Sequence, residues 1–131
     1  MTKNFPLIQD KWAWQSHQIG WSLMGDGDPE APMAVLLIHG FGANTNHWRF
    51  NQPVLAELAP TYAIDLLGFG GSDQPRARLK DEPVTADAVH HGVDLWGQQV
   101  ADFCHEVINK PVMLVGNSIG GVVALRVAQL L

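Results

Sequence analysis

Hydrophobic and polar positions divide the chain into a regular series. Lys11 to Ser16 alternates around Trp12 and Trp14, and Gln18 to Met24 repeats the alternation with Ile19, Trp21 and Leu23. A period of two marks half-buried strands. The pair predicts a hairpin turning near Ser16-His17, after an irregular lead-in over residues 1–10. A polar loop from Gly25 to Pro32 follows. Ala34 to Ile38 is unbroken aliphatic sequence, as in a strand buried on both faces. Thr45 to Leu58 reads as a helix, broken or delayed by Pro53. Tyr62 to Ile64 is a short strand ending at Asp65. Residues 72–92 are polar with little periodicity and predict an exposed excursion. From Val93 to Ile108 the apolar residues return at helical spacing, with Leu95, Trp96, Val100, Phe103, Cys104, Val107 and Ile108 on one face. Val112 to Val115 is a buried strand, and Val122 to Leu131 an apolar helix.

A hairpin followed by three strand–helix units predicts an α/β fold: an antiparallel hairpin, then parallel strands with helices on both faces. Such sheets bind ligands at the carboxyl ends of their strands. Three glycine-rich turns fall there, at 39–44, 66–72 and 116–121. They are expected to converge on one pocket.

The last of these turns carries the most chemistry. Gly116-Asn117-Ser118-Ile119-Gly120 sits between a strand and a helix, the context that a G-x-S-x-G nucleophile elbow requires. A serine on so tight a turn is expected at positive φ, with its hydroxyl raised above the sheet. Strand end and helix start must nearly touch, so Gly116 and Gly120 are expected to leave room, and Gly121 to help the helix close onto the strand. The bland alternative is a glycine-rich turn with an incidental serine. His39-Gly40-Phe41-Gly42, after an earlier strand, is placed to supply a second backbone N–H for an oxyanion hole. Phe41 and Ile119 would be its two donors.

H-G-F-G-A-N at 39–44, D-L-L-G-F-G-G-S-D at 65–73 and G-N-S-I-G-G at 116–121 together resemble the α/β-hydrolase superfamily, in its N-terminal portion. The resemblance implies a Ser-Asp/Glu-His triad and acyl transfer through an acyl-enzyme. It casts Ser118 as nucleophile and His39, Gly40, Gly42, Gly116, Asn117 and Gly120 as the supporting loops. Serine at 118 argues against haloalkane dehalogenases and epoxide hydrolases, which place an aspartate there. Val93-Asp94-Leu95-Trp96, with Gly116-Asn117-Ser118 and the polar insert, is similar to the pheophytinase and chlorophyll-dephytylase branch, which implies a lipophilic ester substrate. The G-N-S-x-G-G form is also found in carbon–carbon bond hydrolases. A ligand-binding protein with a hydrolase pocket is a third reading.

The triad order in this fold is Ser, then Asp or Glu, then His. Residues after Ser118 include none of the three, and all six histidines precede it. The sequence therefore reads as the N-terminal part of a single hydrolase domain, inactive alone, with acid, base and cap beyond residue 131. His90-His91 lacks a carboxylate or cysteine cluster, so no metal or other cofactor is expected. Asp65 is expected to orient a loop. Among the five tryptophans, Trp48 is the best candidate to face a ligand, and Cys104 falls on an apolar helix face.

Composition narrows the partners. Apolar residues make up 47% and charged residues 16%, as in a globular domain. A net charge of −5 without a basic stripe excludes electrostatic support for nucleic-acid binding. One cysteine permits no disulfide framework and fits a reducing compartment. No apolar run approaches the ~20 residues of a membrane span. The expected partner is a small apolar ester, and the expected setting is cytoplasmic, peripheral to a membrane if the substrate is lipophilic.

Overall fold

The computed structural model describes residues 5–25, 28–85 and 87–131. Its first elements are strands β1 (Ile8–Trp14) and β2 (His17–Met24), paired antiparallel with Trp14 opposite His17. The connection is Gln15-Ser16, both at positive φ (47° and 69°), the conformation of a tight two-residue hairpin turn. It lies one residue earlier than the alternation predicts, because no Gly or Asn marks it. β1 also begins three residues before Lys11, inside the expected lead-in. Its exposed Gln9 and Asp10 obscure a strand that pairs fully with β2.

β3 (Ala34–Ile38), β4 (Thr61–Ile64) and β7 (Val112–Gly116) complete a five-stranded sheet in the order β1-β2-β4-β3-β7. β3 is parallel to both neighbours, and β2 joins β4 antiparallel. Every residue of β3 is buried. Leu36 and Ile38 face a large core shared with helices α2 (Val93–Phe103) and α3 (Ile119–Leu130). Val35 and Leu37 face a smaller one with Trp48 and Ala63. Helical elements thus cover both faces, as the α/β pattern predicts.

On the smaller face the predicted long helix is two short pieces, a 3-10 turn at Thr45–Trp48 and the single turn α1 (Gln52–Leu55). Pro53 lies in the first turn of α1, where its missing N–H costs nothing, so it restarts the helix. Trp48 is 7% exposed and packs on β3 and β4. It is a core residue, so the best candidate among the tryptophans to face a ligand is spent on packing.

The larger face is fastened by tryptophans. Trp12 Nε1 donates to Glu106 (2.9 Å) and Trp14 Nε1 to Asp102 (2.8 Å), while the Trp12 ring meets Phe103 edge-on. These contacts fold the hairpin over α2 and the π-turn Cys104–Ile108 that extends it. Asn109 ends that turn in the left-handed conformation. Cys104 is buried there, and desolvation pushes its thiol up to about 11. Between β4 and α2, the excursion holds a two-residue parallel ladder, β5 (Arg76–Ala77) with β6 (Ala88–Val89). Arg76 pairs with Glu82 and holds its carboxyl down to about 2. No helix among the described residues is long and apolar enough to cross a membrane.

Candidate active site

β7 ends at Gly116 and α3 starts at Ile119, leaving Asn117 and Ser118 to make the whole turn. Ser118 has φ 59° and ψ −122° and is exposed at the helix N-terminus. Such a conformation costs a non-glycine residue about 1–3 kcal/mol, which the surrounding packing must offset. The packing is close enough to impose it. A methyl group at Gly116 would stand 2.2 Å from Gly120 O, and one at Gly120 would stand 2.2 Å from Ile38 O. Gly121 is different: its nearest such contact is an ordinary 3.6 Å. The expectation that Gly121 lets the helix close onto the strand is therefore corrected. Gly116 and Gly120 alone do that.

The loop after β3 meets this turn. Asn117 N–H donates to Ile38 O (3.1 Å), and a methyl at Gly40 would lie 3.2 Å from Asn117 O and 3.3 Å from Ser118 Cβ. Gly42 has φ +79° with open space around it, so its need is conformational. Phe41, between these glycines, is 78% exposed. Among the described residues neither the Phe41 nor the Ile119 N–H donates a hydrogen bond within the protein. Gly120 N–H and Gly121 N–H are taken by Asn117 O and Ser118 O.

The glycine-rich turn at 66–72 is tied to the one at 39–44 through His39. The ring is fully buried; its Nε2 accepts from Leu66 N–H (3.0 Å), so the proton sits on Nδ1, which donates to Gly40 O (2.8 Å). Burial pushes the imidazole below its ordinary value, against the raising pull of the Gly40 carbonyl and Asp65. His39 is thus a neutral strut with both nitrogens occupied. Phe69 packs edge-on against His39 and Phe41, adding an apolar contact between the two loops.

Asp65 organises the same loops from below. Its carboxylate accepts Thr45 N–H (2.8 Å) and Gly71 N–H (3.0 Å), and its carbonyl accepts Ser72 Oγ (2.6 Å) and Gln99 Nε2 (3.1 Å). Gly70, at φ +54°, has no room for a side chain because Asp65 Cγ would lie 2.5 Å from it. Gln99 also accepts Leu67 N–H (2.9 Å), so one positioning residue, Gln99, lies outside the motifs, while Ser72 belongs to the one at 65–73. A signal for Gln99 exists: it is a lone amide on the apolar face of α2, between Trp96 and Phe103. His90 and His91 do not form a pair. His91 Nε2 hydrogen-bonds Pro75 O (3.1 Å), its ring packs over Gly68, and His90 is exposed elsewhere.

A sequence model of the alpha/beta hydrolase family matches residues 35–131. The chain belongs to that family. Among its hydrolase-family relatives, the chloroplastic pheophytinase of Arabidopsis thaliana is 33% identical, over 85% of this chain and 27% of that protein. The 1-acylglycerol-3-phosphate O-acyltransferase ABHD5 of Rattus norvegicus is 33% identical, over 79% of this chain and 27% of that one. The chain therefore spans about a quarter of the length of these relatives. The crystal structure of a membrane phospholipase A, a bacterial virulence factor, superposes with a TM-score of 0.74 at 29% identity, covering 94% of this chain and 36% of that one. The pheophytinase similarity supports the branch that the motifs suggest.

Proposed function

We propose that the protein is a serine hydrolase of carboxylic esters that works through an acyl-enzyme on a lipophilic substrate. Ser118 Oγ attacks the ester carbonyl carbon as a general base takes its proton, and the alcohol leaves with that proton. Water then attacks the acyl carbon, the base carrying its proton back to Oγ, and the acid departs. The Phe41 and Ile119 N–H groups receive the oxyanion; such a donor typically contributes ~3 kcal/mol to the transition state.

The observation that carries the reading is the exposed Ser118, held at φ 59° on a strand–helix junction against Gly40. Strain at an exposed nucleophilic side chain serves no evident packing purpose. His39 is not the base, since both ring nitrogens are committed to backbone groups. The triad acid, base and cap belong to sequence beyond residue 131 in this proposal. The ring pair of Phe41 and Phe69, on two of the glycine-rich turns, supports an apolar substrate.

The test uses the full-length protein and its Ser118→Ala variant. A fluorophosphonate probe should label the parent stoichiometrically and the variant not at all. Turnover of p-nitrophenyl laurate should fall by roughly 10⁴-fold or more in the variant. Labelling elsewhere, or unchanged turnover, would sink the assignment.

A further inference from the structure

A separate cleft of about 610 Å³ opens between the β1–β2 turn, residues 78–85 and 88–90, and the first turn of α2. Its size is that of a small-ligand pocket. It shares no lining residue with the three glycine-rich turns around Ser118.

Three features of its wall attract an anion. His17 borders the cleft, is 8% exposed, and its ring has no hydrogen-bond partner among the described residues. A ring N–H there can donate to a ligand acceptor without breaking a bond within the protein. The N-terminus of the eleven-residue α2 opens on the same space, and its N-cap, Gly92, offers no side chain to its free N–H groups. The helix dipole adds positive potential there. Arg78 supplies the third feature, a guanidinium in the wall. Asp94, the opposing charge in the lining, is engaged by Arg126 Nε at 3.2 Å. The remaining surface is largely aliphatic, including Val84, Val89 and Leu95.

We propose that this cleft binds a small amphipathic carboxylate. Its head group takes hydrogen bonds from Arg78, His17 and the α2 N-terminus, and its hydrocarbon body lies on Val84, Val89 and Leu95. With Asp94 paired to Arg126, the single guanidinium of Arg78 balances one negative charge, which favours a carboxylate over a phosphate dianion. A planar guanidinium also matches the carboxylate fork. The inference rests on no assignment at Ser118.

The test is calorimetric titration of the full-length protein with sodium octanoate and with octanamide, its uncharged counterpart. Octanoate should bind about tenfold or more tightly than octanamide. Arg78→Gln should remove that preference. Val84→Trp, at an exposed position, should fill the cleft and abolish binding with the circular dichroism spectrum unchanged. Ser118→Ala should bind octanoate as the parent does. Equal affinity for acid and amide, full binding by Arg78→Gln, or loss of binding in Ser118→Ala would overturn the proposal. The last result would assign the ligand to the Ser118 pocket.

Discussion

His39 shows how one residue can be required without touching substrate. Its two nitrogens join Leu66 N–H to Gly40 O, so the loop that carries Phe41 is hung from the loop that carries Phe69. Only the neutral ring can accept from Leu66. The unfolded chain takes up a proton near pH 6.5, while the folded chain resists it to lower pH. The contribution of His39 to stability is therefore complete above about pH 6.5 and falls as pH drops from there towards the lowered folded value. Urea midpoints measured between pH 5 and pH 7.5 should decline below pH 6.5 in the parent. In His39→Gln, less stable throughout, the part of that decline owed to the imidazole should vanish. Identical pH slopes for the two proteins would contradict the neutral-strut role.

At the scale of elements, the crossing of β7, α3 and β3 sets the position of Ser118. Gly120 lies under the carbonyls of Ile38 and His39, which are backbone atoms at the end of β3 and just past it and cannot give way. Gly120→Ala should cost roughly 3 kcal/mol or more, at the upper range of overpacking. Gly121→Ala should be neutral or slightly stabilising, since alanine favours a helix by about 1 kcal/mol over glycine. Denaturation midpoints of the two variants check this, and equal effects would contradict the geometry. The strands of this crossing were legible because β3 and β7 are continuous aliphatic runs bounded by glycine. The elbow was legible because its glycines follow a steric rule. Other features left no such trace. Gln15-Ser16 lacks the residues that usually mark a tight turn, and Trp48 cannot be told from a ligand-facing ring until β3 and β4 pack against it. The difference between Gly120 and Gly121 lies in distances that no spacing encodes.

Across the whole molecule, β7 stands at the end of the sheet, with only β3 beside it among the described residues. Met113 on β7 and Val122 and Leu125 on α3 are exposed, so strand edge and apolar surface coincide. Residues 1–131 expressed alone should therefore self-associate, and gel filtration with light scattering should find oligomers at micromolar concentration. A monodisperse monomer would count against that. The order of the sheet also imposes a schedule on synthesis. β3 is paired on one side by β4, which emerges soon after it, and on the other by β7, which begins about 70 residues later. At ribosomal rates of about 5–20 residues per second, that interval is on the order of 4 to 14 seconds. Throughout it, the most apolar strand of the chain keeps one edge open. The nascent chain is thereby a natural client for a chaperone that holds extended hydrophobic segments until the elbow strand arrives.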